Sequence, residues 1–325
     1  MFGGDDELPL EICAEGARNT IRITESLEQR QPFFSFEFFP PRNDDGVRLL
    51  FDAIAQLRVL QPAFVSITYG AGGSTRARTV DLAKRIRNDL GLDVMAHVTC
   101  VGATRDELRT LFDDLAAANI ENIMALRGDP PKGEEAFRAS KDGFTHASEL
   151  IAMLSEEYAF CIGAACYPET HPEAFNAETD LRYAAEKVRA GAHFLTTQLF
   201  FDNERYFTFV QRARSMGITV PILPGIMPIT DYRQIHRFTE MCGSEIPLRL
   251  RSELERRNDE PEAVVDLGVA YATLQCADLL ARGAPGIHFY TLNRSPASRA
   301  VCSALRAANR WPQALDSAPA ALRSG

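Results

Sequence analysis

From Phe33 onward the chain repeats one unit, a short run of β-branched and aromatic residues followed by a longer segment with helical spacing. Strand candidates fall at residues 33–39, 64–69, 94–100, 122–126, 160–167, 194–200, 220–224 and 287–292, and helical patterns at 47–60, 75–90, 104–119, 146–157, 179–190, 203–216, 231–242 and 264–281. The first strand starts lie 31, 30 and 28 residues apart, one βα unit each. Such alternation specifies parallel strands joined by crossover helices. Eight units closing on themselves make a (β/α)8 barrel of about 250 residues, which residues 33–310 accommodate. A doubly wound dinucleotide sheet would need G-x-G-x-x-G after its first strand. The nearest stretch, Gly70-Ala71-Gly72-Gly73-Ser74-Thr75, does not match it. The expected class is therefore α/β, a single-domain (β/α)8 TIM barrel over 32–325 preceded by an N-terminal helical extension over 1–31. That extension has a weak helical pattern at Ile12, Ala17, Ile21, Ile23 and Leu27. Helix starts are expected at Ser74 or Thr75, at Thr104 with Glu107 as a capping box, and at Thr179. The one long interval between strands, 67 residues from 220 to 287, holds an extra helix candidate of mixed charge, Leu248–Arg256.

Composition narrows the function. Apolar residues at 46% can fill a large core, and 35 Lys plus Arg against 44 Asp plus Glu give a net charge of −9. Without a basic stripe there is no electrostatic footprint for nucleic acid. The start Met1-Phe2-Gly3-Gly4-Asp5-Asp6-Glu7 is acidic where a signal peptide is basic, and no apolar run approaches the ~20 residues of a spanning helix. A cytoplasmic protein with no membrane contact is expected. The seven cysteines form no CxxC pair and no zinc spacing with the six histidines, so reduced structural thiols and no metal are expected. P-loop, G-x-S-x-G and H-E-x-x-H motifs are absent.

A barrel's chemistry sits at the C-terminal ends of its strands, where polar residues are many. Alternation puts Ser35 and Glu37 opposite Phe34, Phe36 and Phe38. Apolar surroundings would raise the Glu37 pKa, which suits a general acid; the alternative is a structural ion pair with Arg42 or a neighbouring strand. Ser66, Thr68, His97 and Thr99 can face the same mouth, His97 as a ligand contact or as a satisfied core histidine. The fourth strand ends Leu126-Arg127-Gly128-Asp129-Pro130-Pro131, with opposite charges around a glycine where backbone can approach a ligand. The fifth delivers Cys166-Tyr167-Pro168-Glu169-Thr170-His171. The sixth delivers Gln198, whose amide suits a heterocycle with donors and acceptors or is a core amide. The last strand runs from His288 to Leu292 and ends in Asn293-Arg294, where Arg294 can pair with an anion or tie the rim to a helix.

Taken in order, the segments 35–42, 65–70, 96–100, 125–129, 164–174, 197–202, 223–228 and 288–294 resemble methylenetetrahydrofolate reductase of the bacterial, flavin-dependent type. The resemblance implies a (β/α)8 barrel that binds FAD without a covalent bond. It implies reduction of 5,10-methylenetetrahydrofolate to 5-methyltetrahydrofolate by NADH or NADPH, with hydride passed through the flavin. By matching positions, Glu37 is expected as general acid, and Asp129 as the charge between flavin and pterin. Thr68, His97, Arg127, Gly128, Asp129, His146, Ala147, Tyr167, His171, Asp180 and Lys187 are expected at FAD. Gln198, Gln234, Phe238 and Arg294 are expected at folate. The expected partners are methylenetetrahydrofolate and NAD(P)H, in a homo-oligomer. Two positions depart from the pattern: His146 stands where tyrosine is common, and Glu186 precedes Lys187 where a second basic residue is expected for the cofactor's phosphates. The rival functions are a flavin-free reductase of the same substrate and a non-catalytic pterin-binding barrel.

Overall fold

Alternation along the first strand splits its side chains between two apolar clusters. Phe34, Phe36 and Phe38 join the large cluster between sheet and helices, with Val65, Ile67, Ala96, Val98, Ile123, Ile162, Leu195, Ile287 and Phe289. Phe33 points the other way, into a smaller cluster with Phe64, Met95, Met124, Cys161, Phe194 and Leu223. Two buried layers on opposite faces of one parallel sheet are what a closed barrel with an outer ring of helices requires. Phe36 and Phe289 stack across neighbouring strands with centroids 5.7 Å apart, a geometry worth ~0.5–1.5 kcal/mol beyond the area buried.

The computed structural model describes residues 22–29, 31–69, 76–129 and 139–308. Helix α1 (Ile23–Glu28) leads into β1 (Phe33–Phe38), α2 (Asp44–Arg58), β2 (Phe64–Ile67), α3 (Arg76–Leu90), β3 (Val94–Thr99) and α4 (Arg105–Ala117). Next come β4 (Asn122–Leu126), α5 (Ala147–Glu157), β5 (Cys161–Cys166), α6 (Ala177–Arg189), β6 (Phe194–Thr197) and α7 (Asn203–Ser215). The chain continues through β7 (Ile222–Leu223), β8 (Gly225–Ile226), α8 (Tyr232–Cys242), α9 (Leu248–Arg256), α10 (Pro261–Ala281), β9 (Gly286–Tyr290) and α11 (Pro296–Ala307). All strands are parallel, in the order β7-β6-β5-β4-β3-β2-β1-β9-β8.

The expected strand at 220–224 is β7 over two residues, and a further short strand, β8, follows just past Pro224, so nine strands stand where eight were expected. Pro224 is the reason, since a proline has no N–H for the ladder. β7 pairs with β6 on one side of it and β8 with β9 on the other, and the Pro224 carbonyl still accepts from His288 N at 3.0 Å. The two short strands thus form one kinked strand that closes the ring. Several strands also end earlier than expected: β2 stops at Ile67 and β6 at Thr197, because the polar residues beyond them belong to the mouth.

Local signals behave in physical terms. Thr104 and Glu107 make the expected capping box, Thr104 N to Glu107 Oε2 at 2.8 Å and Glu107 N to Thr104 Oγ1 at 3.3 Å. Helix α6 is capped by Asn176, whose side chain accepts from Thr179 N at 2.8 Å; Thr179 is the donor at the third helical position, not the cap. The start at Ser74 or Thr75 lies outside the described residues, as do Ile12, Ala17, Ile21, Cys13, Pro130 and Pro131. Helix α1 drives Ile23 into the lower interior cluster, and Ile23 N donates to Asn122 Oδ1 at 2.9 Å. The expectation that no apolar run nears spanning length is corrected by α10, whose 21 residues are long and apolar enough by length and composition alone. It carries Asp266 and Asp278, and it buries Val264, Gly268, Ala272, Gln275, Cys276 and Leu279 in the barrel wall.

Candidate active site

Inward-facing positions change character from the bottom of the barrel to the top. Above the apolar layer of Phe33, Phe64 and Met95 come Ser35, Ser66, His97, Thr196 and His288, all buried. Higher still lie Glu37, Thr99, Gln198 and Tyr290. In the β1 and β9 register Glu37 stands beside Tyr290 and Ser35 beside His288.

A carboxylate and two imidazoles meet there. His288 Nε2 lies 3.3 Å from Glu37 Oε2, and His97 Nε2 lies 3.4 Å from the same oxygen. Ser35 Oγ faces His288 Nδ1 at 2.8 Å, and Ser66 Oγ is 3.5 Å from Nε2. With Nδ1 accepting from Ser35, the ring proton of His288 sits on Nε2, directed at Glu37. His97 Nε2 is close to the carboxylate without the alignment of a hydrogen bond. Thr99 Oγ1 and Thr196 Oγ1 are likewise buried without a partner among the described residues. Buried polar atoms left unpaired in a mouth point to a polar occupant.

The expected rise in the Glu37 pKa is overturned. Burial pushes the carboxyl up, but the charge of His97, the hydrogen bond and charge of His288 and a hydrogen bond from Ser66 together hold it below the usual carboxylate value. Burial holds His97 below the ordinary imidazole value, against the pull of Glu37. Glu37 meets His288 on the adjacent β9 and His97 on β3, two strands away, and makes no ion pair with Arg42 among the described residues.

Beside this trio, the ends of β4 and β5 and the face of α6 gather a second group. Arg127 closes a two-pronged pair on Glu173, at 2.6 and 2.9 Å, while its Nε donates to the Gly128 carbonyl at 3.1 Å. Gly128 has φ +88, and a Cβ there would meet Val101 Cγ1 at 2.6 Å and Thr99 Cβ at 2.9 Å; only glycine fits. Asp129 is exposed at the rim, and its charge reaches Arg127 and Tyr167. Tyr167 meets His171 edge to face at 4.6 Å, and burial first, then Asp129, pushes its hydroxyl pKa up. His171 N donates to Asp180 Oδ2 at 2.9 Å. Lys187 Nζ donates to the Ala165 carbonyl at 2.6 Å, and burial holds its pKa down.

The remaining expected residues are placed less tightly. Thr68 N donates to the Phe38 carbonyl at 2.8 Å just beyond β2. His146 caps α5 ahead of Ala147 and stacks on Tyr183, centroids 6.4 Å apart, instead of entering the cluster. Gln198 reaches Tyr167 and accepts from Leu199 N at 2.8 Å. Gln234 and Phe238 lie on α8, Phe238 packing on the same apolar cluster as Tyr290. Arg294 is exposed and makes no ion pair among the described residues. Ser35, Ser66 and His288 were not assigned from sequence as site residues. The period-two spacing that selected Glu37 also selects Ser35 and, on the last strand, His288 and Tyr290.

The cysteines fit a structural role. Burial pushes Cys100 up to about 11 and holds Cys166 and Cys276 higher, so no thiolate forms near neutral pH. Among the described residues no group of His, Cys, Asp and Glu is arranged to hold a metal ion. Two outer grooves, about 430 Å³ between α3 and α4 and about 630 Å³ between α10 and α11, are lined by helix residues and do not reach the strand ends.

Comparison with known proteins agrees with this geometry. Residues 22–306 match the family described as methylenetetrahydrofolate reductase. The chain is 41% identical over 277 residues to 5,10-methylenetetrahydrofolate reductase of Escherichia coli (strain K12), covering 85% of this chain and 92% of that one. It is 39% identical over 283 residues to methylenetetrahydrofolate reductase (NADH) 1 of Arabidopsis thaliana, covering 84% of this chain and 48% of that one. The chain thus spans about half the length of the plant relatives it matches. Among solved structures, an uncharacterized protein from Clostridium thermocellum, described as binding two copies of 5-methyl-5,6,7,8-tetrahydrofolic acid, shares the fold. Its TM-score is 0.57 at 15% identity, covering 86% of this chain and 96% of that one.

Proposed function

Because the chain belongs to the methylenetetrahydrofolate reductase family, we propose that it reduces 5,10-methylenetetrahydrofolate to 5-methyltetrahydrofolate, with FAD bound in the mouth and a nicotinamide as reductant. The plant relatives' names carry NADH, which favours that nucleotide. The observation that carries the reading is the buried carboxylate between two imidazoles at the top of a parallel barrel.

The residues fit a flavin. Gly128 leaves backbone open beside unpartnered Thr99 Oγ1 and His97 Nε2. Arg127, His171 and Lys187 supply cationic or donor groups for a pyrophosphate, with Asp180 holding the loop and Thr68, His146 and Ala147 at the edges of the same rim. Glu186 stands before Lys187 where a second basic residue is expected, so in this reading backbone amides, which also bind phosphate, supplement Lys187. When bound, FAD supplies hydride chemistry that no side chain has.

The chain's own residues handle the proton and the substrate. Opening the methylene bridge needs a proton on the departing nitrogen, and Glu37 is the carboxyl placed to deliver it. A carboxyl held low does not keep a proton at neutral pH unaided. In this reading it takes up its proton from water at the mouth, while neutral His288, held by Ser35 from the far side of the ring, orients the carboxyl through Nε2–H. Asp129 favours the cation that develops when the bridge opens. Gln198 and Gln234 offer amides to the pterin edge, Phe238 its face, and Arg294 a counter-ion for an anionic tail. The cytoplasmic setting belongs to the same proposal and is supported by six free cysteines among the described residues. So does a homo-oligomer.

The test is the purified protein's visible spectrum before and after NADH, followed by stopped-flow of each half-reaction for Glu37→Gln. The expected outcome is a yellow protein bleached by NADH, with the folate step of the variant slowed by about 10²–10⁴ and the NADH step near normal. A colourless protein that still reduces the substrate would replace this reading with the flavin-free one.

A further inference from the structure

The ladder between β1 and β9 ends at Glu37 and Tyr290, yet the two chains stay joined beyond it by side chains. Thr291 Oγ1 donates to the Glu37 carbonyl at 2.6 Å, and Thr291 N to the same oxygen at 3.3 Å. Asn293 then takes both backbone groups of Phe39, Oδ1 accepting from its N–H at 2.9 Å and Nδ2 donating to its carbonyl at 2.8 Å. An amide that pairs with an N–H and a C=O of one residue acts as one more rung of sheet. To reach it the chain turns through two left-handed, non-glycine residues, Leu292 at φ 52 and Asn293 at φ 58. Such a pair persists only where its surroundings over-determine it.

The turn also fixes the two residues after it. Arg294 N donates to the Thr291 carbonyl at 3.0 Å, and Ser295, buried, donates through Oγ to Gln56 Oε1 on α2 at 2.6 Å. The exposed guanidinium of Arg294 therefore stands on backbone pinned on both sides.

We propose that Asn293 is a positioning residue which, by clamping Phe39, fixes the depth of Glu37 in the mouth and its separation from Arg294. The proposal rests on the roles given above to Glu37 and Arg294. Misplacement of a reacting group by about 1 Å can cost about 10²-fold in rate, so a clamp two residues from Glu37 bears directly on turnover.

The experiment compares full-length Asn293→Gly, which keeps the left-handed backbone but loses both amide bonds, with Asn293→Asp, which keeps the acceptor for Phe39 N and loses the donor. Each is measured for the ratio of folate-step to NADH-step rate, for the folate KM, and for the pH midpoint of the folate step. In Asn293→Gly the ratio is expected to fall by about tenfold or more, the folate KM to rise and the midpoint to move, with Asn293→Asp between it and the unmutated protein. A ratio within twofold of the unmutated value overturns the clamp, including the case where both steps fall together with melting temperature. If Asn293→Gly does not fold, the Asn293→Asp ratio decides in the same way. Glu37→Gln run alongside separates the two ideas. Its ratio at the unmutated value sinks the functional reading and the clamp with it, whereas a lowered Glu37→Gln ratio beside an unchanged Asn293→Gly ratio sinks the clamp alone.

Discussion

A side chain's environment, more than its identity, decides what it does in this barrel. Glu37 in an apolar strand would be a carboxyl pushed up by burial, but His97, His288 and Ser66 reverse the direction. The state of the carboxyl is thus set by the cluster and not by one residue. Asp129 stands differently: exposed at the rim, it acts by its charge on neighbours such as Arg127 and Tyr167. In the proposed reaction that charge matters most where a cation develops. Asp129→Asn is therefore expected to slow the folate step by roughly tenfold or more and the NADH step by clearly less, read by stopped-flow absorbance. Equal slowing of both steps would make Asp129 a residue that only shapes the site.

Among the elements, the kinked strand of β7 and β8 is the most exacting. Gly225 N donates to Thr197 Oγ1 at 2.9 Å, and Tyr290 Oη donates to the Thr197 carbonyl at 2.6 Å. A Cβ at Gly225 would fall 2.4 Å from that carbonyl and 2.5 Å from Tyr290 Oη. Gly225→Ala is expected to cost about 1–3 kcal/mol, measured as a lower urea midpoint at unchanged slope; a midpoint within error of the unmutated one would show that the seam can widen. The repeat of strand and helix was legible in the sequence because periods of two and 3.6 follow from backbone geometry. The break at Pro224 was legible in principle, since a proline inside a strand has no ladder donor, but which neighbour each half would take depends on ring closure. Glu37 was legible as a polar residue on an inward face. Its partners were not, because spacing along one strand says nothing of register with β9. Asn176 was passed over as the cap of α6 for the same local reason, Thr179 being a plausible cap by type.

For the whole molecule, acid is the natural stress. Burial holds His97, His171 and His193 below their ordinary value of 6.5. Unfolded, each takes a proton near that value; folded, each resists until lower pH. The unfolded chain thus binds more protons, so stability is full above about pH 6.5 and falls as pH drops below it. Glu37, held low, extends the loss below 4.5, while Glu169, pushed up by burial, opposes it in the carboxylate range. The melting temperature is expected to fall steadily from about pH 7 to about pH 5, with a shallower slope in His97→Gln. A flat profile over that range would show that these imidazoles are protonated in the native state.

The pairing of Glu37 with His288 joins residues 251 positions apart, across the line where the first and last strands of the ring meet. A growing chain that has not yet made β9 holds Glu37 beside a sheet edge with neither His288 to orient its carboxyl nor Thr291 and Asn293 to hold its backbone. The chemistry proposed for it therefore begins only at closure. Distant contacts of this kind form late because the intervening loop must first be ordered, so the appearance of activity during refolding is a clock for the final docking of β9 onto β1.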